Sequence, residues 1–97
     1  MSYDSDWLEK MFKRHEDEFG KFERVKKPLN GRADLCAFML LDRLAPGRAD
    51  IVSCAEHDRI WLCIPPSEIA GEATEEDIIT LIRCGIMLDE DSFSMFV

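Results

Sequence analysis

The sequence predicts an α+β domain: two helices, then a strand pair, a third helix and a second strand pair, with the strands forming a small antiparallel sheet. Three observations lead there. Apolar residues recur at three- and four-residue steps as far as about residue 45. The period shortens to two from Ile51 onward. Pro28-Leu29-Asn30-Gly31, Pro46-Gly47 and Pro65-Pro66 punctuate the chain where those patterns change. At 97 residues the chain makes one domain, 1–97, with one core, because a chain of this size buries only about 60 to 65% of the surface it exposes unfolded. A hydrophobic fraction of 46% is more than disordered chains carry.

Asp4, Ser5 and Asp6 offer N-cap oxygens, and Asp6 with Glu9 has the reciprocal capping-box spacing, so a helix is expected to begin near Asp6. Trp7, Leu8, Met11, Phe12, His15, Phe19 and Phe22 lie on one stripe of a 3.6-residue period. Lys27 precedes Pro28 and is pushed out of the α region, which ends the helix by about residue 26. A second helix is expected over residues 31–45. It is apolar on nearly all sides between 35 and 41, as the most buried helix would be.

Residues 51–55 and 59–64 then read as a hairpin, ended by Pro65-Pro66 because proline cannot donate to a strand ladder. A two-residue turn at His57-Asp58 sets Glu56 opposite Arg59, Cys54 opposite Trp61 and Val52 opposite Cys63. Both faces of this hairpin are largely apolar, which predicts cover on both sides, from helices or from a second subunit. Residues 67–70 suit one short turn. Thr74 and Asp77 repeat the capping-box spacing, and Gly85 suits the C′ position of a third helix of about ten residues. Ile86 to Leu88, a turn at residues 89–92, and Phe93 to Val97 read as a final hairpin, whose last strand is expected at a sheet edge where a partner strand can add.

Charge is divided unevenly. Residues 1–48 hold ten Lys or Arg against nine Asp or Glu, a net of +1, and residues 49–97 hold two against eleven, a net of −9. The overall charge of −8 opposes direct nucleic-acid binding and attachment to anionic lipid. The longest apolar run, Leu35 to Leu41, is far short of the roughly 20 residues of a membrane helix, and the first residues lack the pattern of a secretory signal. A cytoplasmic protein is expected.

Little in the sequence suits bond-making chemistry. Cys36, Cys54, Cys63 and Cys84 fall on four different elements without a CxxC pair, and in the register above Cys54 and Cys63 are diagonal neighbours. At roughly 7 to 8 Å such positions do not converge on one zinc ion. Cys84 stands at a predicted helix C-terminus, where the dipole opposes a thiolate, and the other cysteines lie in apolar runs. His57-Asp58 has acid–base residue types but sits on a tight turn. No glycine-rich phosphate cradle and no EF-hand loop is present. The chain is therefore expected to be no enzyme and to need no cofactor or metal.

Carboxylates at turns remain. Glu72, Glu75, Glu76, Asp77, Asp89, Glu90 and Asp91 are the expected partner-binding residues, gathered where short loops cluster and able to steer the chain toward a basic groove. Trp7, Phe12 or Phe96 is expected to supply an aromatic anchor wherever it is exposed. The simpler function of Glu75, Glu76 and Asp77 is to complement a helix N-terminus.

The run Ala73 to Asp91, with the terminal Ser94-Met95-Phe96-Val97, resembles the endings of small phage and prophage accessory proteins. In size, acidity and lack of a visible active site the whole chain is similar to phage inhibitors of host defence, the anti-CRISPR proteins among them. The resemblance implies a class of action: an acidic inhibitor or modulator that mimics nucleic acid and occupies a basic surface on a host protein or ribonucleoprotein complex. Two alternatives stand beside it. One is a homodimer or larger homo-oligomer whose acidity serves solubility, the other a small Cys/His metal-binding protein.

Overall fold

The computed structural model describes residues 2–47, 50–89 and 92–96. It is an α+β fold with the element order α1 (Ser2–Arg14), α2 (Ala33–Leu44), β1 (Val52–Glu56), β2 (Arg59–Leu62), α3 (Pro66–Ala70), α4 (Glu75–Arg83), β3 (Ile86–Asp89) and β4 (Ser92–Phe96). The four strands form one antiparallel sheet in the order β1-β2-β4-β3. No helix among the described residues is long and apolar enough to cross a membrane.

Helix α1 begins before Asp6 and ends at Arg14, twelve residues short of the expected end. The apolar stripe continues in spacing but not in conformation. Single 3-10 turns at Glu16–Glu18 and Phe22–Arg24 flank Gly20, whose φ of 73° is left-handed. Three consecutive acids, Glu16-Asp17-Glu18, are also poor company for the negative end of a helix dipole. Phe19 is consequently 42% exposed rather than in the core.

The connection to α2 is fastened to the C-terminal end of α4. The Gly20 N–H donates to the Ile82 carbonyl at 3.1 Å, and Arg83 donates to Glu18 at 2.9 Å and to the Arg24 carbonyl at 3.1 Å. The Ile82 carbonyl also accepts from the Gly85 N–H of the helix end, so Gly20 supplies it with an additional donor.

Helix α2 falls within the expected span and buries Cys36, Ala37, Leu40 and Leu41. It is amphipathic rather than wholly enclosed, since Leu35 and Met39 stay exposed. The short α3 is one helix more than the expected order holds. Pro66, expected only to stop a strand, stands in its first turn, where a missing N–H costs nothing.

Helix α4 has the expected capping box, with the Thr74 hydroxyl accepting from the Asp77 N–H and the Asp77 carboxylate accepting from the Thr74 N–H, both at 3.1 Å. Gly85 follows at a φ of 97°, a conformation only glycine adopts without strain.

In the first hairpin, Glu56 pairs with Arg59 and Cys54 with Trp61 as expected, but a bulge between Val52 and Cys54 sets Val52 opposite Leu62 rather than Cys63. Only His57 of the turn has positive φ, 52°. Strand β4 is central, flanked by β2 and β3, so the expected edge position is corrected. Its Phe93, Ser94 and Met95 are all buried, whereas of the two edge strands, β1 and β3, β1 is exposed along its whole length.

Side-chain alternation divides the sheet. Ile60, Leu62, Phe93, Met95 and Ile86 join Leu8 and Met11 of α1, Leu40 and Leu41 of α2, Ile69 of α3 and Ile78, Leu81 and Ile82 of α4 in one core. The Phe12 and Phe93 rings meet at 5.9 Å between centroids. Burying each large apolar side chain contributes about 1.5 to 3 kcal/mol. The helices cover this face alone. Trp61, Met87 and Phe96, which alternate to the opposite face, are outside the core.

Candidate functional site

The expected carboxylates separate into three groups. Glu72, Glu75, Glu76 and Asp77 gather around the start of α4. Asp89 ends β3. Glu90 and Asp91 lie outside the described residues.

Packing places cations from the first half of the chain against the α4 carboxylates. His15 Nε2 and Glu75 Oε2 are 2.7 Å apart, and Arg14 stands 3.6 Å from the same oxygen. The His15 hydrogen bond, with Arg14 behind it, holds the Glu75 carboxyl below its ordinary range. Asp77 caps α4 through one oxygen and faces Arg43 at 3.6 Å through the other. Glu72 and Glu76 are exposed and have no ion pair among the described residues. Glu76, with Glu75 and Asp77, lines a cleft of about 800 Å³ between α2, α4 and residues 25–29, whose wall also includes Lys26 and Lys27.

Asp89 belongs to a different construction on the uncovered face of the sheet. Ser94, in the middle of β4, leaves a trough between Trp61 and Met87, its cross-strand neighbours. The Arg59 side chain lies in that trough and donates to Ser94 Oγ from Nη2 at 2.8 Å and from Nε at 3.3 Å. Ser94 Oγ in turn donates to Asp89 at 3.3 Å, and Asp89 forms an ion pair with Arg59. The Arg59 guanidinium is 4.9 Å from the Trp61 ring centroid and 5.8 Å from that of Phe96, distances at which cation–π attraction operates. Ser94 is fully buried beneath this layer, while Phe96 is 54% exposed.

Of the three aromatic residues expected as anchors, Phe96 is the exposed one, and Trp7 and Phe12 are half-buried against the core. The Trp61–Arg59 pair was not among the expected site residues. Its signal is the i, i+2 spacing on a strand, which puts both side chains on one face.

The thiols are placed without a common centre. Cys54 is exposed, Cys63 half-buried, and Cys36 and Cys84 buried. Burial pushes the Cys84 thiol up to about 12, and the neighbouring Cys36 adds to the shift. No group of three His, Cys, Asp or Glu side chains among the described residues is arranged to hold a metal ion. Comparison with known proteins finds no matching family model, no matching curated protein and no matching solved structure.

Proposed function

We propose that this chain is a non-enzymatic acidic binding protein that occupies a basic, nucleic-acid-binding surface on a partner protein or ribonucleoprotein complex in the cytoplasm. This is the class of action implied by its resemblance to phage inhibitors of host defence. The observation that carries the reading is the state of the charges. Arg14, Arg24, Arg32, Arg43, Arg59 and Arg83 are each engaged by a carboxylate of the same chain. Asp42, Asp50, Glu56, Asp58, Glu72 and Glu76 are exposed and have no such partner among the described residues. Lys10, Lys13, Lys26 and Lys27 are likewise exposed without an ion pair among the described residues, but unpaired carboxylates outnumber them, so the net −8 remains as an outward field. Such a field raises association rates and weakens with salt.

Capture of a partner from bacterial lysate on the immobilised chain, followed by nucleic-acid displacement from the captured protein, tests the reading. Glu72→Lys/Glu76→Lys is the informative variant because neither side chain has an ion pair among the described residues to lose. The wild-type chain is expected to displace nucleic acid. The double variant should associate about tenfold more slowly, and so should the wild type when salt rises from about 0.05 to 0.3 M. Displacement indifferent to both changes overturns the reading.

A further inference from the structure

The uncovered sheet face has the residue types of an interface centre. Tryptophan, arginine, phenylalanine and methionine are enriched where protein partners meet, and tryptophan and arginine are among the side chains whose removal costs most binding energy. Trp61, Arg59, Phe96 and Met87 lie on one face of adjoining strands, outside the core. The face is also pre-organised. Arg59 is tied down by Ser94 and Asp89 and flanked by two rings, so little rotamer freedom remains to be lost on association.

We infer that this face, centred on Trp61 and Phe96, docks a cationic protein surface that sets an aliphatic or aromatic side chain against the two rings. The inference rests on the proposed function, to which it adds the place of contact. Charge selects the partner. Arg59 and Asp89 cancel within the face, and among the described residues the remaining ionised group there is Glu56, exposed on β1 and without an ion pair. With a molecular charge of −8, a second copy or a phosphate backbone is repelled, and a surface bearing lysine or arginine is attracted.

The test uses a short peptide alternating lysine and leucine as probe. Its controls are a lysine–serine peptide of equal charge, a glutamate–leucine peptide and a single-stranded DNA oligonucleotide. The full chain is expected to bind the lysine–leucine peptide at least about tenfold more tightly than any control. Phe96→Ser, at a position that packs on nothing in the core, is expected to weaken that binding by at least about tenfold with an unchanged circular dichroism spectrum. A bulky maleimide adduct on Cys54, which is exposed and lies opposite Trp61, should do the same in a Cys63→Ser background, without altering any side chain of the platform.

Equal affinity for the lysine–serine peptide, preference for the oligonucleotide, or indifference to both Phe96→Ser and the adduct overturns the inference. So does light scattering that shows a micromolar self-association abolished by Phe96→Ser, because the face then serves a second copy. The proposed function fails separately: nucleic-acid displacement unaffected by Glu72→Lys/Glu76→Lys and by salt, together with peptide binding still lost in Phe96→Ser, removes that reading and leaves the docking face standing.

Discussion

His15 Nε2 and Glu75 Oε2 lie 2.7 Å apart across sixty positions of sequence, joining the residue after α1 to the first turn of α4. A carboxylate that the charge distribution assigns to a partner is thus already held by its own chain. Lysine at position 75 would disturb this tie as well as any docking, whereas Glu76, one residue on, has no comparable bond among the described residues.

Among the described residues three carboxyls are held below their ordinary range, Glu75 chiefly by His15, Glu18 chiefly by Arg83 and Asp34 chiefly by the Leu35 N–H. A carboxyl lowered in the folded state binds fewer protons there than in the unfolded chain. Its contribution is therefore complete above the ordinary glutamate range and is lost as pH falls through the lowered folded value. The thermal midpoint should fall between about pH 5 and pH 3, and Glu18→Gln should flatten that fall. A midpoint whose acid slope is the same in the variant contradicts the assignment.

Thr74→Ala removes one half of the α4 capping box. The expected loss is about 1 kcal/mol, or about 4 to 8 °C of thermal midpoint in a domain of this size. Thr74→Ser keeps the accepting oxygen and should retain most of the stability.

Alkylation should distinguish the thiols. Cys54 is exposed and reacts first, the half-buried Cys63 follows, and Cys36 and Cys84 react only on unfolding. Burial places the Cys84 thiol near 12, where almost none is ionised at neutral pH. Mass spectrometry of the native chain at intervals after adding iodoacetamide gives the order directly.

The turn of the first hairpin holds a histidine at a φ of 52°. Glycine adopts positive φ without the Cβ clash, so His57→Gly should gain up to about 1 kcal/mol in spite of the added unfolded-state entropy. Asp58→Gly should lose stability, because Asp58 does not have positive φ. Denaturant unfolding of the two variants is the comparison to make.

Local signals in the sequence were legible wherever one residue type determines a local geometry. Thr74 with Asp77 marked the start of α4, Gly85 marked its end, and the His57-Asp58 turn set the pairing of Cys54 with Trp61. Spacing misled at Phe19 and Phe22, which continue the stripe of α1 after its backbone has left the helix. The charge division between halves is real as arithmetic, yet it is blind to packing, which sets Arg14, His15 and Arg43 of the first half against Glu75 and Asp77 of the second. Alternation in the first hairpin revealed two apolar faces. That helices cover only one of them, and that Arg59 lies over a buried serine on the other, depends on long-range pairing with β4 that no local pattern encodes.

The bonds from Arg83 to Glu18 and to the Arg24 carbonyl divide the passage between α1 and α2 into two spans pinned at a midpoint. Residues added after Arg24 lengthen only the second span, where closure entropy rises by about 0.6 kcal/mol per doubling. Residues added between Glu18 and Arg24 shift one anchor away from the other. The chain should therefore accept extra length near Pro28 and Leu29, and resist it a few residues earlier.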